Sequence, residues 1–258
     1  MKARFYYEMK RGIWMERIRT CLAAAGIPVS DTQLAQLTTY YEMVIERNKV
    51  MNLTAITERE EFIVKHLIDS LAPLLSEELC PLFRDRADGT AIRLIDVGTG
   101  AGFPGIPLKI LCPKLSVTLL DSLQKRVNFL QEVITALKLS DIRAVHMRAE
   151  EGGQSPAHRE KYDLAVSRAV ANLSLLAEYD LPFVKKGGTF LAYKSGEVEE
   201  EMASAERAIR ILGGLLERPV YITLPDSDIR RAFLPIRKEK PTPKAYPRKA
   251  GTAKKDPL

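Results

Sequence analysis

The sequence is poor in cysteine and histidine, and it lacks any long apolar run. Its three cysteines form no Cys-x-x-Cys pair, which indicates a reducing compartment and excludes a thiolate metal site. Its three histidines are scattered and show no metal-ligand spacing with acidic residues. No stretch approaches the roughly 18 apolar residues of a membrane helix, and the N-terminus does not resemble a signal peptide. We therefore expect a cytoplasmic protein that binds no metal and no membrane.

Basic residues are concentrated near the C-terminus. The whole chain has a formal net charge of +6, and residues 237–258 alone carry eight basic and two acidic side chains. The remainder of the chain is therefore neutral overall. The prolines of this basic segment predict an extended conformation rather than a helix. Its composition leaves two interpretations open, a site for a polyanion such as a phosphate backbone and a solvated, disordered tail.

Apolar periodicity predicts helices in the first eighty residues. The three predicted helices are Ile13–Ala24, Leu34–Ile45 and Phe62–Leu75. Ser30 and Thr57 are the candidate N-caps of the second and third helices. We therefore predict an N-terminal helical segment, residues 1–83, that packs on the core of the domain that follows.

Beyond residue 90 the apolar pattern alternates between strands and helices. Strands are predicted at 92–97, 116–120, 142–147, 164–166 and 189–193, and helices at 104–111, 123–137, 173–184 and 198–212. A polar loop is predicted up to residue 160, and a closing antiparallel pair at 220–224 and 231–236. This alternation is typical of an α/β fold. Residues 91–237 are thus predicted to form a doubly wound, mostly parallel Rossmann-like sheet with an antiparallel closing strand, followed by a basic tail at 238–258.

A glycine run follows the first predicted strand at once. Gly100-x-Gly102-x-x-Gly105 matches the dinucleotide fingerprint of NAD-dependent oxidoreductases. The strand is predicted to end just before Gly98, however, so the run in register is Asp96-x-Gly98-x-Gly100-x-Gly102. In this register the run resembles the first motif of Rossmann-like S-adenosylmethionine-dependent methyltransferases. S-adenosylmethionine is therefore the predicted cofactor, and a nicotinamide dinucleotide is the alternative.

Acidic residues follow the second and third predicted strands. Asp121 lies 23 residues beyond Gly98, where an acid accepts hydrogen bonds from ribose hydroxyls. The alternative role for Asp121 is that of a helix N-cap. Ala149 and Glu150 stand where methyltransferases hold the adenine, and Glu150 can accept a hydrogen bond from an amino group. The alternative for Glu150 is a surface acid in a loop.

The residues after the fourth strand restrict the methyl acceptor. Enzymes that methylate an exocyclic amino group usually carry an Asn/Asp-Pro-Pro-aromatic run there, whereas this chain has Ser167-Arg168. Cytosine C5 methylation needs a cysteine nucleophile beside the cofactor, and no cysteine is placed for it. Guanine N7 remains as an acceptor, because its lone pair is available in the neutral base and positioning alone can drive the transfer. We therefore predict no general base.

Several motifs in order are similar to those of the bacterial 16S ribosomal RNA guanine-N7 methyltransferases, also called the glucose-inhibited division protein B family. The similar segments are Asn52–Ile56, His66–Ser70, Gly98–Pro107, Asp121–Arg126, Ser167–Val170, Tyr193–Lys194 and Pro241–Arg248. The resemblance runs from about Tyr40 to the C-terminus. It implies N7 methylation of a single guanine, position 527 in the 530 loop of the small-subunit rRNA. A methyltransferase of another RNA or of a small molecule, and a non-catalytic RNA-binding module, are the alternatives.

The resemblance also implies the residues that contact the cofactor. These are Gly98, Phe103, Ala149, Glu150 and Arg168; Asp121 joins them from the ribose argument. Arg168 has four candidate partners: the cofactor carboxylate, guanine O6, an RNA phosphate, or an acid in a surface ion pair. His66, Asp69 and Ser70 share one turn of the third helix and either face the site or buttress it.

The resemblance gives the basic tail a role in RNA binding. Lys244, Arg248 and Lys249 suit phosphate contacts, and Tyr246 among them suits stacking on a base. The expected partner is therefore 16S rRNA or the small ribosomal subunit. We expect the protein to act as a monomer.

Overall fold

The computed structural model of the chain describes residues 16–84, 86–168 and 171–258. Residues 13–15 of the first predicted helix lie outside these ranges, as do Ala169 and Val170 of the motif after the fourth strand. Within the described ranges, no helix is long and apolar enough to cross a membrane.

The N-terminal part of the chain is helical, as predicted. Its elements are α1 (16–24), α2 (Asp31–Met51), α3 (Arg59–Phe62), a π-helical turn (Ile63–Ile68), α4 (Asp69–Leu71) and two 3-10 turns (Ala72–Leu75 and Cys80–Phe83). Ser30 is the N-cap of α2, and it forms a capping box with Gln33. The prediction for Thr57 is wrong, because Glu58 is the N-cap of α3 and its carboxylate accepts the amide hydrogen of Glu61.

The rest of the chain forms one eight-stranded sheet. Its strands are β1 (Arg93–Val97), β2 (Ser116–Asp121), β3 (Ile142–His146), β4 (Tyr162–Arg168), β5 (Val184–Ser195), β6 (Gly214–Leu216), β7 (Val220–Thr223) and β8 (Arg230–Lys238). The order is β3-β2-β1-β4-β5-β8-β6, with β7 also paired to β8. Strands β1 to β5 are parallel, and β8 runs antiparallel to β5, β6 and β7. The predicted doubly wound sheet with an antiparallel closing strand is confirmed.

Helices connect the parallel strands. They are α5 (Gly105–Leu111), α6 (Gln124–Ala136), α7 (Ala149–Gln154), α8 (Leu173–Asp180) and α9 (Glu199–Ile211), and a last short helix is α10 (Thr252–Lys255). The prediction of one helix up to Val184 is wrong. Helix α8 ends at Asp180, because Pro182 has no amide hydrogen to continue it, and Val184 already belongs to β5.

Helix α7 and strand β6 were not predicted. The pattern predicts a polar loop in place of α7. It does so because two of the six residues of this helix are glycines, which have low helix propensity. Tertiary packing explains these glycines. A Cβ on Gly152 would lie 2.9 Å from the Phe183 ring, and one on Gly153 would lie 2.8 Å from Pro247 Cγ. Packing against residues that are distant in the sequence, Phe183 and Pro247, therefore stabilises this helix.

The N-terminal helices share a hydrophobic core with the sheet. Leu37 and Phe62 belong to the same buried cluster as Leu94 of β1 and Ile106 of α5. Tyr40 is fully buried in it, and its hydroxyl donates a hydrogen bond of 2.9 Å to the carbonyl of Ala101 in the glycine run. The helical region therefore fixes the turn in which the predicted cofactor site lies.

The basic C-terminal segment, residues 239–258, packs on the body of the domain. The guanidinium of Arg159 donates hydrogen bonds to carbonyls of the segment at Thr242, Pro243 and Tyr246. The Ser174 hydroxyl donates to the carbonyl of Leu258, so the chain end reaches the start of α8. The interpretation of this segment as a free, disordered tail is therefore wrong.

One ion pair anchors the C-terminal segment. Glu178 of α8 has a side chain only 1% exposed, and Arg248 donates to its carboxylate through its backbone amide at 2.8 Å and Nη2 at 2.6 Å. Among the residues that the structure describes, Arg248 is the ion-pair partner of this buried acid and neutralises it.

We predict that Arg248→Ala destabilises the protein by about 3 kcal/mol, because it leaves the Glu178 carboxylate buried and unpaired. The free energy of unfolding from urea titrations measures the effect. Lys249→Ala removes the same charge from an exposed neighbour, and we expect it to change stability by less than about 0.5 kcal/mol. Equal stability of the two variants would contradict the anchoring role.

Candidate active site

The glycine run forms a sharp turn between β1 and α5. Gly98, Gly100 and Gly102 all have positive φ angles, of 71°, 63° and 111°, which disfavour any residue with a side chain. A Cβ on Gly102 would also lie 2.6 Å from Ile106 Cγ1, whereas a Cβ on Gly100 would meet no atom within 4 Å. Gly102 therefore allows close packing beneath the turn, while Gly100 borders open space where a ligand can lie against the backbone.

Asp96 holds the two ends of this turn together. Its Oδ2 accepts hydrogen bonds from the Thr99 hydroxyl at 2.7 Å and from the Gly105 amide at 2.8 Å. The residue is fully buried, and its Oδ1 has no hydrogen-bond partner in the described part of the chain. Burial raises the pKa of Asp96 to about 6, because water no longer solvates the charged form.

A second carboxylate, Asp180, is fully buried and interacts electrostatically with Asp96. Burial and the neighbouring charge of Asp96 raise the pKa of Asp180 well above its ordinary value, and Ser167 offsets part of this rise. Neither Asp180 oxygen nor the Ser167 hydroxyl forms a well-aligned hydrogen bond with a described residue. The raised pKa values of both carboxyl groups favour their protonated forms, because two unpaired buried charges that repel each other are costly.

The raised pKa values of Asp96 and Asp180 predict that the protein loses stability as the pH rises. The pKa of Asp96 is about 6 in the folded protein and 3.8 in its ordinary state, so between these pH values the folded protein keeps a proton that the unfolded chain has lost. The stability of the folded protein therefore falls as the pH rises from 3.8 to about 6. We predict that Asp180→Asn, which removes one buried acid, loses less stability than the wild type between pH 5 and pH 8. Urea unfolding at both pH values measures this. The exposed Asp228→Asn is the control, and an unchanged pH dependence in Asp180→Asn would refute the coupling.

An aromatic cluster lies above the end of the glycine run. The His66 ring stacks on Phe103 with centroids 4.6 Å apart, and the Arg168 guanidinium lies 5.0 Å from the same ring. Arg168 Nη2 donates to His66 Nδ1 at 3.3 Å, so the proton of the neutral ring is assigned to Nε2, which donates to Thr54 Oγ1 at 2.6 Å. Burial and Arg168 lower the pKa of His66 to about 3, so the ring is neutral at physiological pH.

Asp69 links the helical region to two strands of the sheet. Its Oδ2 accepts from Arg168 Nη1 of β4 and its Oδ1 from Arg231 Nε of β8, both at 2.8 Å. The Arg168 side chain is only 11% exposed, so it does not form a surface ion pair. Ser70 lies deeper, and its carbonyl accepts from the Tyr193 hydroxyl. His66 and Asp69 therefore both contact Arg168, whereas Ser70 is fully buried.

A cavity of about 410 Å³ with several charged side chains in its lining opens beside Arg168, over the carboxyl ends of β4 and β5. We call it the β4–β5 cavity. Its charged and polar lining includes His66, Asp69, Arg168, Lys194, Glu201 and Arg231. No group of three His, Cys, Asp or Glu side chains among the residues that the structure describes is arranged to hold a metal ion.

Five of the predicted cofactor residues, Gly98, Phe103, Asp121, Ala149 and Glu150, lie at or after the carboxyl ends of β1, β2 and β3, whereas Arg168 ends β4. Asp121 accepts the amide hydrogens of Gly100 at 3.0 Å and Leu123 at 2.9 Å, so it joins the glycine run to the next turn. The N-cap alternative for Asp121 is wrong, because Leu123 occupies that position in α6. Ala149 and Glu150 begin α7, and Glu150 Oε1 accepts from the Gly251 amide at 3.2 Å.

The predicted RNA-binding residues differ in their surroundings. Lys244 and Lys249 are exposed, and Tyr246 is half-buried. Arg248 binds Glu178, so its guanidinium is already paired within the protein. Sequence reasoning did not single out Leu123, which is 42% exposed, an unusual exposure for a large apolar residue. Its place two residues after the strand-end acid Asp121 was the available signal.

Comparisons with known proteins agree on one family. The model of the family described as rRNA small subunit methyltransferase G matches residues 33–223. A ribosomal RNA small subunit methyltransferase G from Alkaliphilus metalliredigens is 53% identical over 233 residues, which cover 90% of this chain and 94% of the relative. The protein of the same name from Lachnoclostridium phytofermentans is 52% identical over 237 residues, with 92% and 94% coverage.

A solved structure supports the fold alone. A crystal structure of an MtNAS mutant superimposes with a TM-score of 0.51 at 12% identity, over 81% of this chain and 75% of that one. The match to the family model and the identity to full-length relatives decide the assignment: the chain belongs to the rRNA small subunit methyltransferase G (GidB) family.

Proposed function

We propose that the protein transfers a methyl group from S-adenosylmethionine to N7 of one guanine of 16S rRNA, position 527 in the 530 loop. Relatives about half identical to this chain carry the name ribosomal RNA small subunit methyltransferase G. The observation that carries the proposal is that Arg168 joins a cofactor-type glycine turn to the β4–β5 cavity. A monomer in the cytoplasm is part of this proposal.

The residues around the glycine run fit S-adenosylmethionine. Gly100 borders open space, and the exposed Leu123 offers an apolar surface of the kind that an adenine ring covers. The Asp121 carboxylate has about four acceptor positions, of which two backbone amides and Arg126 Nη1 use three, so a ribose hydroxyl can use the fourth. We therefore assign cofactor contacts to Gly98, Asp121 and Glu150, together with Phe103, Ala149 and Arg168.

The arrangement positions the reactants rather than moving protons. When bound, S-adenosylmethionine supplies an electrophilic methyl group on a sulfonium, and guanine N7 needs no deprotonation to accept it. His66, with its pKa of about 3 and its Nδ1 bound by Arg168, is a poor base. Asp69 offsets one of the two positive charges of Arg168 and Arg231, which reduces their repulsion of a nearby sulfonium.

The proposal predicts a defined specificity for the reacting atom. We expect the protein to bind S-adenosylhomocysteine but not NAD in calorimetric titrations, and to transfer one methyl group to a small-subunit rRNA substrate. Replacing the target by 7-deazaguanosine, which has carbon in place of N7, should abolish incorporation measured by mass spectrometry. Undiminished methyl transfer to the 7-deaza RNA would contradict the proposal. Binding of NAD without binding of S-adenosylhomocysteine would contradict it as well.

The C-terminal segment supplies a basic surface next to the site. Lys244 and Lys249 are exposed on a segment that is fixed to the body and reaches the start of α8. We propose that these two lysines contact RNA phosphates and that Tyr246 contributes a stacking surface. Arg248 takes part mainly by anchoring the segment through Glu178.

We predict that the double substitution Lys244→Ala and Lys249→Ala weakens RNA binding and reduces the slope of log affinity against log salt by about 1.5, since each phosphate contact contributes about 0.7 to 0.9. Affinity for S-adenosylhomocysteine should not change. The double substitution Lys161→Ala and Lys186→Ala removes equal charge from exposed positions near the amino ends of β4 and β5. Matching salt slopes for both double variants would exclude the proposed contacts.

A further inference from the structure

The β4–β5 cavity contains an ion pair that the mechanism above does not use. We propose that this cavity receives the target guanine and that Glu201, held in place by Lys194, recognises the N1–H and amino group of the base. This inference rests on the proposed function and names the group that selects guanine.

The sheet topology places the cavity beside the glycine run, because the cavity lies at the end of the strand that neighbours β1. Strand β4 pairs with β1, and Asp96 lies in register with Val166, two residues before Arg168. Arg168 contacts Phe103 of the glycine run on one side and Asp69 of the cavity on the other. A base that occupies the cavity therefore turns one edge toward the cofactor turn and the opposite edge toward α9.

Guanine presents different chemistry on these two edges. N7 and O6 are acceptors, whereas N1–H and the exocyclic amine are donors on the far side of the ring. If N7 faces the glycine run, the donor edge needs an acceptor at the distal wall of the cavity. Asp69 is poorly suited, because each of its oxygens already accepts from an arginine. Glu201 is the other carboxylate among the lining residues of the cavity.

Glu201 is held with one oxygen available. Its Oε1 accepts from Lys194 Nζ and from the Leu173 amide, both at 2.6 Å, and Lys194 is fixed in turn by the Ala171 carbonyl at 2.7 Å. Its Oε2 accepts no hydrogen bond from any other described residue, and the side chain is 27% exposed. Oε2 can therefore accept from the donor edge of guanine, whereas adenine would place the lone pair of N1 against the carboxylate.

A two-by-two experiment isolates this contact. Wild-type protein and Glu201→Gln are each given RNA with guanosine or inosine at the target; inosine keeps N7, O6 and N1–H but lacks the amine. We expect the wild type to prefer guanosine in kcat/KM by about tenfold to a hundredfold, the range of one hydrogen bond to a charged group. In Glu201→Gln, which keeps one oxygen for Lys194 and Leu173, the preference should fall below about threefold.

The same four combinations are measured as equilibrium RNA binding in the presence of S-adenosylhomocysteine. Glu200→Gln, an exposed neighbour on the same turn, is the matched control and should keep the wild-type preference. Unchanged affinity of Glu201→Gln for S-adenosylhomocysteine confirms that the variant is folded. The same guanosine-to-inosine ratio in wild type and Glu201→Gln overturns the assignment of Glu201. An absence of methyl transfer by the wild type counts against the proposed function instead, and the binding measurements still decide the role of Glu201.

Discussion

The Asp69 carboxylate is the contact on which the site depends most. It accepts hydrogen bonds from Arg168 of β4 and Arg231 of β8 at equal distances of 2.8 Å, and it belongs to a helix outside the sheet. With its side chain only 6% exposed, it pairs with both arginines and offsets one of their two positive charges. This carboxylate therefore unites the helical region, the centre of the sheet and its antiparallel strand. The cavity beside Arg168 exists because these three parts are held together.

The N-terminal helices have a structural role in the cofactor turn as well. Tyr40 binds the Ala101 carbonyl, and His66 stacks on Phe103, so both sides of the turn are supported by residues outside the α/β domain. The π-helical turn at Ile63–Ile68 contains His66 and directly precedes Asp69, and such turns often occur at functional sites. The glycine run and the N-terminal helices therefore form one structural unit.

The C-terminal segment shows that net charge alone does not define a binding surface. Its excess of basic residues is compatible with a site for a polyanion or with a solvated, disordered tail. In the structure Arg248 instead neutralises a buried glutamate, and backbone carbonyls of the segment accept from Arg159. Only the lysines that remain exposed are available to a phosphate backbone. The same composition thus serves both folding and the proposed recognition of RNA.

Local patterns in the sequence were sufficient to locate seven of the eight strands, the N-cap of α2 and the register of the glycine run. These features depend on residues a few positions apart, and period-two and period-3.6 patterns report them directly. The tertiary structure alone decided which charges pair. Asp69 and Arg231 are 162 residues apart and Glu178 and Arg248 are 70 apart, and no local pattern encodes such pairs. Helix α7 was missed for the same reason, because its glycines are favoured by packing against Phe183 and Pro247 rather than by helix propensity. The sequence by itself therefore determined where a cofactor turn lies, and long-range packing determined which side chains surround it.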